Sequence, residues 1–146
     1  MQGRGTAQAR LFRCGTAIAF LAGILATGCG RNEECEKVRL EASKAWQTVT
    51  AQAGEAELKG PPGFEELSEV QKAEHVKQWR EIEKQSEMVS SSFTYEKITW
   101  KTADPAREKA NQLFDAYSAK SEFLVFTAAL KTANAKFDET AKLCKN

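Results

Sequence analysis

A single histidine in 146 residues excludes a multi-histidine metal centre, and no stretch of 18 apolar residues is present to cross a bilayer. An excess of charge of one sign is missing too. The chain sets 21 Lys and Arg against 20 Asp and Glu, which provides no basic field for nucleic acid. Also absent are the C-x-x-C-H haem signature, the G-x-x-x-x-G-K-S/T phosphate loop, the H-E-x-x-H metalloprotease motif and the N-x-S/T glycosylation acceptor. These gaps point away from an enzyme and from any cofactor or metal. Disorder is not the expectation either: 42% hydrophobic and 28% charged residues are ordinary for a chain that folds.

The chain does have a strongly asymmetric N terminus. Arg4, Arg10 and Arg13 occur there without an acidic residue, and a ten-residue apolar run follows from Ala17 to Ala26. A basic stretch followed by a short apolar one is the layout of a secretory signal peptide, and the run falls short of the about 20 residues a transmembrane helix needs. It closes in Leu25-Ala26-Thr27-Gly28-Cys29. This segment resembles the lipobox of bacterial lipoprotein precursors, where small residues precede a cysteine that is lipidated and becomes the first residue of the mature chain. The resemblance implies cleavage between Gly28 and Cys29, a diacylglyceryl group on the Cys29 sulfur, and a membrane partner reached through that lipid in the cell envelope. The family most often has Leu three places before the cysteine; this chain has Ala26 there and Leu25 one place further back. Asp after the cysteine commonly retains such proteins at the inner membrane, so Gly30 in that place implies sorting to the outer membrane. The resemblance covers residues 1–29 and identifies no family for the remainder.

Ala26-Thr27-Gly28 also satisfies the small-x-small rule of an ordinary signal peptidase site, and a soluble secreted product is the competing expectation. Cysteine arithmetic bears on the choice. Cleavage removes Cys14 and leaves Cys29, Cys35 and Cys144, an odd number for an oxidising compartment. If Cys29 carries lipid, Cys35 and Cys144 make a pair. The chain thus divides into a signal peptide over 1–28, a lipidated tether over 29–34, polar and expected to be weakly structured, and a folded domain over 35–146. The 118 residues left after cleavage hold 18 basic and 20 acidic side chains, a balance of −2.

The folded part reads as all-α. Val38, Ala42, Ala45, Trp46, Val49 and Ala53 form one amphipathic stripe between Glu33 and Lys59, which Gly60-Pro61-Pro62-Gly63 terminates. Ser68-Glu69-Val70-Gln71 has the form of a capping box and opens a second helix to about Val89. Its inward side is marked by Val76, Trp79, Ile82, Glu83, Ser86, Val89 and Phe93, whereas Leu67, Val70 and Ala73 drift around the axis. Ser90-Ser91-Ser92 is expected to break the pattern, and residues 93–101 fit an extended piece as well as a helical turn. Asp104-Pro105 reads as N-cap and first helical residue of a third helix. Ala106, Ala110, Leu113, Phe114, Tyr117 and Leu124 share one face, while Phe126, Leu130, Ala133, Phe137, Ala141 and Cys144 share another about half a turn away. The two faces require a break near 118–121, with Ser121 as a plausible cap.

Cys35 lies at the start of the first helix and Cys144 at the end of the last. In an antiparallel bundle those ends meet only when the number of long helices is even, so a Cys35–Cys144 disulfide predicts four helices, up-down-up-down. His75 reads as a packed or solvated histidine, and the carboxylates of Glu65-Glu66 and of Glu81 with Glu83 point apart on helical backbone. The aromatic rings, from Trp46 and Trp79 to Phe137, read as core; Tyr95 and Trp100 are the pair that would make an exposed patch if there is one. Two functional expectations follow. One is a non-catalytic envelope lipoprotein with a structural or partner-binding role at the membrane surface, one possible partner being an envelope protein. The other is a binding or inhibitor module, for example an immunity factor or a ligand carrier with a cleft between helices.

Overall fold

Four helices follow one another along the chain: α1 (Gly28–Lys59), α2 (Glu69–Ser92), α3 (Trp100–Asp115) and α4 (Leu124–Cys144). They are seen in a computed structural model that describes residues 28–95, 97–117 and 120–145. Residues 1–27, which hold nearly all of the expected signal peptide, lie outside the described residues. Helix α1 packs against α2 and α4, and α2 against α3. Every pairing is antiparallel, as cross-helix contacts show. Ser43 meets Ser90 and Glu57 meets Arg80; Val38 meets Thr140 and Glu41 meets Lys136; Gln78 meets Leu113 and, at the other end of that pair, Phe93 meets Trp100. The chain therefore runs up-down-up-down, and the Cys35–Cys144 disulfide, with Cα atoms 5.3 Å apart, closes one end.

The stripe of α1 is buried as its spacing predicts: Ala42, Trp46, Val49 and Ala53 are fully enclosed. The helix continues unbroken through Gly54. A Cβ there would stand 3.2 Å from Glu83 Oε1, so the missing side chain lets α2 come close. The stop is Gly60, whose left-handed φ of 65° suits glycine and whose N–H donates to Ala56 O. Upstream, the helix extends back to Gly28, so the backbone of the expected loose spacer 29–34 is helical. Once the turns from Cys35 on are held by packing, adding residues to an existing helix costs little.

The Ser68–Gln71 capping box forms, with both reciprocal bonds present. The drift at the start of α2 has a simple outcome: Val70 and Ala73 face solvent, and the buried face begins at His75. Ser90-Ser91-Ser92 does not break the helix after Val89 but forms its last turn. Ser91 and Ser92 bond back to Met88 O, while Ser90 lies against Ser43, which donates to Ser90 O at 3.1 Å. Two small side chains face to face let α1 and α2 approach, and packing outweighs the modest helix propensity of serine.

Helix α3 begins at Trp100, four residues before the expected cap, and encloses Pro105. Trp100 docks edge-on against Phe93 and Phe137, and Ala103 is fully buried; this anchorage pulls the first turn into helix despite the proline. Asp104 consequently caps nothing and binds Lys145 Nζ at 2.9 Å. The break between α3 and α4 falls where the two faces require it, but Ser121 sits inside a 3-10 turn (Lys120–Phe123) and the residue before α4 is Phe123. Leu124, expected on the inner face, is 71% exposed, because Phe123 and Phe126 take the inward directions at the start of α4.

Aromatic rings fill the core in two groups. Phe93, Trp100 and Phe137 stack edge to face beside the disulfide-closed end, with the Arg107 guanidinium over Phe137 at 4.4 Å and Lys145 Nζ over Trp100 at 4.6 Å. Trp79 lies among Phe114, Tyr117, Phe123 and Phe126 toward the other end. Trp46 and Trp79 bury their indole N–H groups without an acceptor among the described residues. Burying a tryptophan removes about 200 Å² from water, roughly 5 kcal/mol of gross stabilisation, against about 1–3 kcal/mol for an unpaired donor. Burial wins. Besides these rings, α3 and α4 meet through polar side chains: Arg107 reaches Asn134 and Asp138, and Asn111 exchanges bonds with Asn134.

Candidate functional site

Three cysteines follow the expected cleavage point, and the fold consumes two of them. Cys35 and Cys144 are brought together because α1 and α4 run antiparallel in contact, with Thr140 Oγ1 donating to Val38 O one turn away and Lys136 paired to Glu41 at 2.7 Å. That ion pair holds the Glu41 carboxyl below its usual value and the Lys136 ammonium above its own, each chiefly through their shared hydrogen bond. Cys29 lies in the first turn of α1, outside the disulfide. The end of the body that carries Cys29 is therefore the end that is covalently closed.

His75 is buried, with Nε2 3.1 Å from Ala56 O and Nδ1 3.4 Å from Tyr117 Oη. A carbonyl oxygen only accepts, so Nε2 donates to Ala56 O, while Nδ1 and the Tyr117 hydroxyl stand at hydrogen-bond distance. Phe64 lies 4.9 Å from its ring, so His75 ties together α1, the 60–68 loop and the segment after α3. Burial and the Glu74 carboxylate push the Tyr117 phenol well above its ordinary value. Glu81 accepts from Gln85, and Glu83 faces Gly54 on another side of the helix. Among the described residues no group of His, Cys, Asp and Glu is placed to hold a metal, and no helix is long and apolar enough to cross a membrane. Trp100 and Tyr95 do not form a joint patch: Trp100 is packed into the core edge and Tyr95 is 64% exposed, its carbonyl held by Arg39 at 2.9 Å.

The end opposite the disulfide has features that periodicity does not reveal. Two clefts flank the 3-10 turn. One, of 270 Å³, lies between α1 and the start of α4 and is lined by Ala56, Gly60, Phe123, Leu124 and Val125. The other, of 290 Å³, lies between α2 and the α3–α4 connection and is lined by Pro61, Leu67, Glu74, Gln78, Tyr117 and Glu122. Glu122 and Phe123 border both. The available sequence signal is Phe123-Leu124-Val125-Phe126, four successive apolar residues at 100° intervals that cannot all face one core. Compared with family models, with curated proteins and with solved structures, the chain matches none.

Proposed function

We propose that this chain is a bacterial cell-envelope lipoprotein, cut before Cys29 and acylated there, whose four-helix body is a non-catalytic structural or partner-binding module at the membrane surface. The observation that carries the reading is the Cys35–Cys144 pair: it occupies two of the three cysteines beyond Gly28 and leaves Cys29 as the odd one. Three arginines, a ten-residue apolar run and Leu25-Ala26-Thr27-Gly28 precede that cysteine in the order of a lipoprotein signal peptide, with Leu25 one place further back than is usual. One acyl chain holds a protein weakly and two or more hold it stably, at about 0.8 kcal/mol for each buried methylene. The body then hangs from its closed end. Its 60–68 connection and the Lys120–Phe123 turn lie about 36 Å further out, the rise of α1 between Cys35 and Lys59.

Membrane fractionation with mass spectrometry of the mature N terminus tests this. The native protein is expected in the membrane fraction with a diacylglyceryl-modified Cys29, and Cys29→Ala is expected in the soluble fraction. An unmodified Cys29 on native protein, or full membrane retention of Cys29→Ala, overturns the proposal.

A further inference from the structure

Charge is distributed unevenly along the bundle. Residues 55–77 and 113–124, which build the end opposite the disulfide, hold eight acidic against four basic side chains, whereas the rest of the chain from Cys29 onward is net +2. Several of these carboxylates have cationic neighbours: Glu55 pairs with Lys59, Glu57 with Arg80, Glu65 and Glu69 with Lys72, and Glu74 with Lys77. The end nevertheless keeps more carboxylates than cations. Glu74, whose neighbour Lys77 stands 3.8 Å away on the exposed surface, and Glu122 come from different elements and line one cleft together with Tyr117.

Across the 3-10 turn lies the second cleft, of opposite character. Leu124 is 71% exposed and Val125 66%, beside the buried Phe123 and the small residues Ala56 and Gly60. These side chains are left in water although the core a few ångströms away is filled. An apolar hollow adjoining a carboxylate-lined, aromatic-walled one is complementary to a segment that offers an apolar side chain next to lysine or arginine. A cation in the first cleft would meet the two carboxylates with Tyr117 in the wall, and an apolar anchor in the second would cover Leu124 and Val125.

We infer that this far end is a docking surface for a basic, apolar segment of a partner protein, laid across the Lys120–Phe123 turn with one side chain in each cleft. The inference does not depend on acylation of Cys29. The test uses the full chain carrying Cys29→Ser, so that failure of docking and failure of lipidation are read separately. The probe is an amidated peptide of about 12 alternating leucines and lysines, long enough to cross both clefts. Its controls are the Leu/Glu and Ser/Lys peptides of the same length.

Amide chemical shifts in ¹H–¹⁵N spectra are expected to move at Tyr117 and Phe123–Phe126 with the Leu/Lys peptide and with neither control. Affinity is expected to fall at least about five-fold between 50 and 300 mM salt, as screening of a charged contact requires. The double variant Glu74→Gln/Glu122→Gln is expected to weaken binding about five-fold or more and to flatten the salt dependence. Leu124→Ser is expected to weaken binding while the salt dependence stays. Both variants alter exposed side chains, and unchanged circular dichroism and melting temperature verify their folding. No shift at this end with about 1 mM peptide, equal binding of the Leu/Glu peptide, or shifts centred on the disulfide-closed end overturns the inference. So does concentration-dependent movement of the same amides without peptide, which would make a second copy of the chain the occupant.

Discussion

Removing the covalent clasp, with Cys35→Ala and Cys144→Ala together so that no stray thiol remains, isolates what chain closure contributes. The bridge spans 109 residues of sequence. In the chain-entropy treatment, a loop that long lowers the entropy of the unfolded chain by about 16 cal/mol/K, roughly 4.8 kcal/mol at 25 °C. The native ends keep other contacts: Thr140 still bonds to Val38 O, Lys136 still pairs with Glu41, and Arg39 still holds the carbonyls after α2. The double variant is therefore expected to retain its helical circular dichroism while losing about 4–5 kcal/mol, a large share of the about 5–15 kcal/mol typical of a domain. With a urea m-value of about 1.5–2 kcal/mol per molar for a body of this size, the unfolding midpoint should drop by about 2–3 M, and reductant should produce the same drop in the native protein. A midpoint shift below about 0.5 M would refute the reasoning, because it would mean that the unfolded chain already keeps these ends close.

Other perturbations probe separate joints of the bundle. Arg39→Met leaves Phe93 O and Tyr95 O without their charged donor and should destabilise by about 1.5–3 kcal/mol in thermal unfolding, with no change in helix content. Pro105→Ala gives α3 back an interior hydrogen bond and is expected to raise stability by about 1–3 kcal/mol; a lower melting temperature would show that the proline does not strain this helix. The Glu41–Lys136 pair carries opposite pH dependences. The depressed Glu41 contributes stability that is present above 4.5 and lost as pH falls through its folded value, whereas the raised Lys136 contributes stability that is present below 10.5 and lost as pH rises through its folded value. Melting temperatures of Glu41→Gln and the native protein should thus differ between those limits and converge outside them.

Particular residues show how far pattern alone reaches. The α1 stripe, the Gly60 stop, the Ser68–Gln71 box and the Cys35–Cys144 pairing are local or positional signals, and each is realised in the structure. Ser90 to Ser92 and Asp104-Pro105 mislead for one reason: their intrinsic preferences amount to about 1–3 kcal/mol, and contacts distant in sequence decide against them. Ser90 is held against Ser43, 47 positions away, and Trp100 against Phe137. The far-end clefts were illegible because they join α1, α2 and the α3–α4 connection, whose relative placement no single periodicity encodes.

Composition and order of residues by themselves determined an all-helical body with four long helices, because apolar spacing sets which face of each helix must leave water and two cysteines at opposite chain ends admit only an even number of antiparallel helices. Tertiary structure alone decided where α2 ends and α3 begins, which way Leu124 faces, and that Glu74, Tyr117 and Glu122 share a cleft. The physical reason is that burial against a neighbouring helix exceeds local backbone preference at each of these points, and that neighbour exists only once the chain has closed on itself.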